Sequence, residues 1–190
     1  MHVANKLTIG RIFLALSFIL FFSSDSCWSL WICIIIAVMI ELSDFLDGRL
    51  ARRYGQVTDF GKLMDPFADS IARFTIFLCF LAAGWAPVWI VAIFFYRDML
   101  VAIIRVFSLR SGVVVSARKS GKAKAWVQAL AIFLVLGLQG LSRLGFLPES
   151  VDQHYLALIT SAIIGGAALV TLWSAIDYWN ANKSMVFAAM

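Results

Sequence analysis

Four aspartates form two closely spaced pairs in the first half of the chain. Asp44 and Asp47 are three residues apart, and Asp65 and Asp69 are four residues apart. In a helix either spacing places both side chains on one face, so two antiparallel neighbouring helices would bring all four carboxylates together. Four such anions repel one another unless cations join them. Oxygen ligands suit Mg²⁺ or Mn²⁺, and two such ions can hold a phosphoryl group between attacking and leaving oxygens.

Small residues accompany the aspartates. Gly48 directly follows the first pair, Ala51 lies a turn later, and Gly61 lies shortly before the second pair, so a ligand could approach both helices closely. Arg52 carries a guanidinium fork that suits phosphate oxygens. The pattern favours a metal-assisted phosphoryl-transfer site. Solvated helix ends, or carboxylates paired with nearby arginines, are the alternative interpretation of the same spacing.

The elements that must position these carboxylates are membrane helices. Of the 190 residues, 62% are hydrophobic and 14% are charged, and a soluble domain of this size could not bury so much apolar surface. Six apolar segments are long enough to cross a bilayer: about 7–24, 28–46, 67–85, 87–108, 125–145 and 155–177. We expect a single domain over residues 1–190, and an all-α polytopic membrane protein with six transmembrane helices.

Basic residues are concentrated in alternate connections between these segments. The second and fourth connections carry several Lys and Arg, whereas the first and third carry none. By the positive-inside rule both termini are cytoplasmic, and the aspartate pairs lie at the cytoplasmic boundary. The net charge of +5 is dispersed among membrane segments without an aromatic-basic module for nucleic acid. We therefore expect no nucleic acid partner, and instead a membrane lipid surface or anionic substrates.

The aspartates and small residues form one motif, Asp44-x2-Asp47-Gly48-x2-Ala51-Arg52-x8-Gly61-x3-Asp65-x3-Asp69. This string resembles in full the motif of the CDP-alcohol phosphatidyltransferase family. Members of that family have six transmembrane helices, are usually homodimers, and displace CMP from a CDP-linked lipid with an alcohol. The resemblance implies two bound ions, Mg²⁺ or Mn²⁺, with Asp44, Asp47 and Asp65 as ligands. It implies that Asp69 also helps to bind metal and acts as the catalytic base.

The resemblance also implies a binding site for the CDP-lipid. Its residues would be Gly48, Arg52, Thr58 and Gly61. A shorter element near the start, Asn5-x-Leu7-Thr8-x2-Arg11, is similar to the N-terminal element of the family, so Asn5 and Thr8 are candidates for the nucleotide pocket.

The second half of the chain resembles the phosphatidylglycerophosphate synthase branch of the family. The matching strings are Arg97-Asp98-x6-Arg105, Gly121-Lys122-x-Lys124 and Ser174-Ala175-Ile176-Asp177-Tyr178. This resemblance implies that CDP-diacylglycerol and glycerol 3-phosphate are the substrates. Glycerol 3-phosphate is a dianion, and we expect its phosphate to bind a cationic pocket formed by Arg97, Arg105, Lys122 and Lys124.

Other charged residues receive separate interpretations. Arg110, Arg118 and Lys119 are read as solvated residues of an inside-positive loop. Asp98 is expected to pair with a neighbouring base and orient Arg97. Glu41 lies one turn before the motif and has no assigned role, with Arg73 on the next segment as a candidate partner.

Several alternatives stay open at the level of sequence. Ser70, Tyr96 and Ala125 depart from the residues usual in the family, so an inositol phosphate or serine acceptor remains possible. Intramembrane carboxylates could also serve a cation transporter, or charges could only set the topology of a structural membrane protein. The branch resemblance implies a bacterial inner membrane, with the active site facing the cytoplasm.

Overall fold

The chain folds into six α-helices. The computed structural model describes residues 3–24, 26, 28–54, 59–110, 118–147 and 152–188, and the side chains of all these except 3–8, 44–45, 47–54, 59–65, 109–110, 185 and 187–188. The helices are α1 (Val3–Phe22), α2 (Ser29–Tyr54), α3 (Asp59–Ala82), α4 (Val88–Arg110), α5 (Lys119–Arg143) and α6 (Gln153–Ala188). The described ranges contain no strand, so the expected all-α class is confirmed.

The apolar segments of the sequence match the helices one to one. The second and third segments belong to helices that continue well beyond the apolar stretch toward each other, so both aspartate pairs are helical. The sixth helix has 36 residues, a length of roughly 54 Å at the usual rise per residue. It therefore extends well past the thickness of a bilayer core.

Membrane character is visible in two helices and in the surface. Lys119–Arg143 and Gln153–Ser184 are long and apolar enough to cross a membrane, whereas α1 and α2 carry shorter apolar stretches in their described parts. Large apolar side chains also face outward, and Leu20, Trp126 and Leu169 are each at least 70% exposed. Both observations indicate a membrane protein, because water would not tolerate such a surface.

The helices pack as two groups of three. α1 contacts α2 and α3, and α6 contacts α4 and α5; the groups meet where α2 packs on α5 and α3 packs on α4. The core between them is aliphatic and aromatic, with Phe18, Phe80 and Leu136 fully buried. The rings of Phe77 and Phe94, from α3 and α4, lie 4.4 Å apart.

A tight turn joins α3 to α4. Gly84 adopts φ +73°, a left-handed conformation that favours glycine, and the Trp85 N–H donates to the Phe80 carbonyl at 2.8 Å. The helices are therefore consecutive and antiparallel, which brings the beginning of α3 and the end of α4 to the same end of the bundle. The candidate site lies there.

Two polar pairs align α5 with α6 inside the bundle. Gln128 donates to Thr171 Oγ1 at 3.2 Å, and Gln139 donates to Thr160 Oγ1 at 3.2 Å. Both pairs keep one antiparallel register, which places the beginning of α5 beside residues 174–178 of α6. Interhelical hydrogen bonds of this kind contribute about 0.6–1.7 kcal/mol each in a membrane.

Candidate functional site

A cavity of about 460 Å³ lies among α3, α4, α5 and α6. Its wall contains apolar residues of α3 and α4 together with an unusual number of charges. Two of its charged side chains are the carboxylates of Asp69 and Asp98, and six are basic: Arg73, Arg97, Arg105, Arg118, Lys122 and Lys124. The cavity therefore carries a strong excess of positive charge, which suits an anionic ligand.

The four basic residues predicted for the acceptor phosphate line this one cavity. Arg97 and Arg105 come from α4, and Lys122 and Lys124 come from the first turns of α5. The structure thus brings together two sequence strings that are more than a dozen residues apart. Their role in phosphate binding stays a prediction.

Asp98 connects two of these cations. Its carboxylate accepts hydrogen bonds from Lys124 Nζ at 2.8 and 2.9 Å and from Arg97 Nη1 at 2.9 Å. Arg97 Nη2 also donates to Ser174 Oγ on α6 at 2.8 Å. All three charged side chains are at most 10% exposed. The expected pairing of Asp98 with a base is confirmed, and it holds Arg97 in a fixed orientation.

A glycine lies directly beside this arrangement. A Cβ atom built on Gly121 would lie 3.4 Å from Arg97 Nη2, in van der Waals contact with the guanidinium. The first turn of α5 therefore packs closely on Arg97.

Asp69 is the one motif aspartate whose side chain the structure describes, and it faces the cavity. Arg73 Nη2 lies 3.3 Å from Asp69 Oδ1. The same guanidinium forms a two-pronged ion pair with Glu41, at 3.0 Å from Nε to Oε1 and 2.9 Å from Nη2 to Oε2. The candidate partnership of Glu41 and Arg73 is confirmed, and Glu41 fixes the cation that adjoins Asp69.

A metal ion fits the donor chemistry of Asp69. Asp69 Oδ1 is buried and, apart from its ion pair with Arg73, has no hydrogen-bond partner among the described residues, so a lone pair remains available to a hard cation or a proton. Among the described side chains, no three His, Cys, Asp or Glu residues are grouped closely enough to hold a metal. The other three motif aspartates lie outside that set.

Most side chains of the predicted CDP-lipid and metal site lie outside the described part of the structure. Thr58 falls between the described ranges 28–54 and 59–110. Eight other residues belong to α1, α2 or α3, but their side chains are outside the described part: Asn5, Thr8, Asp44, Asp47, Gly48, Arg52, Gly61 and Asp65. Their roles stay predictions.

The first helix reaches this region through Arg11. The side chain is fully buried, and Nε donates to Ser43 Oγ on α2 at 3.2 Å. Ser43 immediately precedes the motif. The N-terminal sequence string contains Arg11, but nothing in that string indicates what a buried arginine would contact.

Arg118 precedes α5 and its side chain is 39% exposed, in keeping with the predicted solvated loop, but it also has a specific partner. It lines the cavity and makes a two-pronged ion pair with Asp177 of α6, with Nε to Oδ2 and Nη2 to Oδ1 both at 2.8 Å. The hydrogen bond to the carboxylate of Asp177 raises the pKa of Arg118 above its usual value. Ser120 Oγ also donates a hydrogen bond to Asp177. The two partners are 59 positions apart, and no local spacing could pair them.

Comparison with known proteins gives one family and a consistent set of relatives. A family model described as CDP-alcohol phosphatidyltransferase matches residues 1–173. A protein of Treponema pallidum (strain Nichols) is 36% identical over 108 residues, which is 57% of this chain and 50% of that protein. This chain thus aligns with about half of that relative.

Two other relatives align over nearly the whole chain. A protein of Yersinia pestis (strain Pestoides F) is 29% identical over 97% of this chain and 96% of its own. One of Pectobacterium atrosepticum is 30% identical over 96% and 95%. All three relatives are named CDP-diacylglycerol–glycerol-3-phosphate 3-phosphatidyltransferase.

Proposed function

Because the chain belongs to the CDP-alcohol phosphatidyltransferase family, we propose that it transfers the phosphatidyl group of CDP-diacylglycerol to sn-glycerol 3-phosphate. The products are phosphatidylglycerophosphate and CMP, and the reaction belongs to phospholipid biosynthesis. The names of relatives that align over almost the whole chain support this acceptor. The chain is therefore an enzyme, a phosphatidyltransferase.

The observation that carries the choice of acceptor is the charge of the cavity. Six basic side chains line it, and Asp69 lies on the same wall. A phosphate dianion gains charge-assisted hydrogen bonds in such a place, whereas serine brings its own ammonium group and would meet cations. The cavity thus favours a phosphorylated alcohol, and the acceptor phosphate is held by Arg97, Arg105, Lys122 and Lys124.

The reaction centre is proposed at the motif aspartates. Asp44, Asp47, Asp65 and Asp69 would hold two ions, Mg²⁺ or Mn²⁺, as is general in the family. When bound, these ions supply charge neutralisation for the diphosphate of the CDP-lipid. The CDP-lipid itself is bound by Gly48, Arg52, Thr58 and Gly61, with Asn5 and Thr8 at the nucleotide.

Asp69 acts as the general base. It takes the proton from the attacking hydroxyl of glycerol 3-phosphate, whose oxygen forms a bond to the β-phosphorus while the bond from that phosphorus to the CMP oxygen breaks. The contact with Arg73 at 3.3 Å holds the carboxylate in place. Its Oδ1 atom, which apart from this ion pair has no hydrogen-bond partner among the described residues, has the lone pair that this step needs.

The protein works in a membrane. We propose that all six helices of the single domain, residues 1–190, span the bilayer, with both termini and the active site on the cytoplasmic side. The Lys and Arg residues at the facing ends of α2 and α3, and at the facing ends of α4 and α5, support this orientation. The enzyme would form a homodimer in a bacterial inner membrane, where the lipid substrate enters laterally.

An acceptor comparison tests the function. Purified protein is incubated with CDP-diacylglycerol, a divalent ion, and radiolabelled glycerol 3-phosphate, inositol phosphate or serine, and CMP and labelled lipid are measured. We expect both products with glycerol 3-phosphate and little with the other two. Preferential transfer to another acceptor would refute the assigned acceptor, and the absence of CMP release with any of them would refute phosphatidyl transfer.

A further inference from the structure

Arg118 is a basic residue of the cavity that is not among the four assigned to the acceptor phosphate. It directly precedes α5, lines the same cavity as Arg105 and Lys122, and its side chain is 39% exposed. Arg97 and Lys124, by contrast, are at most 10% exposed and share the Asp98 carboxylate. The cavity therefore has two kinds of cation, a buried pair already neutralised in part, and accessible ones such as Arg118.

The guanidinium of Arg118 is held from one side only. Its Nε and Nη2 atoms bond to Asp177, each at 2.8 Å. The two N–H groups of Nη1, and the second of Nη2, make no hydrogen bond to the described residues. A planar guanidinium presents its donors in fixed directions, so an ion pair on one edge leaves the opposite edge available to a second anion.

Asp177 does not line the cavity, but it is itself fixed. It accepts a hydrogen bond from Ser120 Oγ in the first turn of α5 as well as the two from Arg118. Ser120 is 2% exposed, and α5 is locked to α6 by the two Gln–Thr pairs. The Asp177 carboxylate is therefore fixed in place, and it orients the Arg118 side chain that lines the cavity.

We propose that Arg118 is a specificity-determining residue that binds the phosphate of the acceptor through its free edge, and that Asp177 is the residue that positions it. This inference rests on the proposed function, since it assumes a phosphorylated acceptor in the cavity. It adds a fifth cation to the four assigned from the sequence. Arg118 differs from Lys124 in being accessible, since the Lys124 side chain is 5% exposed and that of Arg118 is 39% exposed.

Steady-state kinetics with both substrates varied test this assignment. For Arg118→Gln we expect the KM for glycerol 3-phosphate to rise about 10- to 100-fold, the range for a lost hydrogen bond between charged groups. Arg118→Lys keeps the charge without the fork and should give a smaller rise. Asp177→Asn should raise the same KM about 3- to 10-fold, because a neutral amide supports the guanidinium less firmly. The KM for CDP-diacylglycerol and kcat should change little.

Exchanging the charges of Arg118 and Asp177 distinguishes a role in ligand binding from a purely structural ion pair. In the double variant Arg118→Asp with Asp177→Arg the pair can form again, so thermal stability should return toward that of the native protein. The guanidinium would then come from α6, and the KM for the acceptor should stay high. Lys119→Gln is the matched control, because Lys119 is adjacent and exposed and does not line the cavity; its KM should be normal.

Three results would overturn the inference. One is a normal acceptor KM in Arg118→Gln, and another is recovery of that KM in parallel with stability in the exchanged pair. The third is a rise confined to the KM for CDP-diacylglycerol, which would place Arg118 at the lipid phosphates. Each of these leaves the proposed function standing, because the native protein still transfers to glycerol 3-phosphate. A native protein that uses no phosphorylated acceptor would overturn both.

Discussion

The ammonium group of Lys124 contacts both carboxylate oxygens of Asp98, at 2.8 and 2.9 Å. The two residues come from α5 and α4, and the side chain of neither is more than 9% exposed. The same carboxylate also accepts from Arg97. One buried anion therefore lies between two buried cations and connects two helices in the wall of the cavity.

Loss of this anion should destabilise the protein. We expect Asp98→Asn to lower the free energy of unfolding by about 3–5 kcal/mol, the usual cost of leaving a buried charge without its partner. The measurement is thermal or denaturant unfolding in detergent. Asp152→Asn, at an exposed aspartate before α6, is the control. Adding Lys124→Gln to Asp98→Asn should recover part of the lost stability. If Asp98→Asn unfolds at the same midpoint as the native protein, the Asp98 ion pairs do not stabilise the fold.

Glu41 should stabilise the protein through its ion pair with Arg73. Glu41→Gln removes the charge that meets the buried guanidinium, so we expect a loss of about 1.5–3 kcal/mol in stability, the range for hydrogen bonds to charged groups. The loss should be smaller in the double variant with Arg73→Gln, because no cation is then left behind. Unfolding of the two single variants and the double variant gives the coupling energy. Additive effects would show that the pair does not interact.

Asp69 should be essential for turnover. We expect Asp69→Asn to reduce the rate of CMP release about 10²- to 10⁴-fold, as for removal of a general base, while the protein still binds CDP-diacylglycerol. Ser70→Ala is the control, because Ser70 lines the same cavity without an assigned role. Near-native turnover of Asp69→Asn, with lipid binding retained, would exclude this residue as the base.

Removal of divalent ions should stop the reaction. The proposed grouping of four carboxylates requires cations, so EDTA should abolish CMP release, and added Mg²⁺ or Mn²⁺ should restore it. A sample with EDTA already saturated with Mg²⁺ controls for effects of the chelator on the detergent. Full activity in excess EDTA would refute the metal site.

Local patterns in the sequence were sufficient for the helices and for part of the site. Apolar segments and helical periodicity depend on near neighbours, so all six helices could be located from the sequence. The partnership of Glu41 and Arg73 was also within reach, because the two residues are nearly equidistant from the connection between consecutive helices α2 and α3. Antiparallel neighbours place such residues at the same height.

Contacts between helices distant in the chain required the tertiary structure. Arg118 had the sequence context of a solvated loop, and only the packing of α5 on α6 sets it against Asp177 and turns it toward the cavity. The same packing decides that Lys124 is buried on Asp98 while Arg118 stays accessible. Residue types and spacing determined which charges this protein has near its motif, but the side-chain packing of four helices decided which of them are buried in ion pairs and which stay accessible to a ligand.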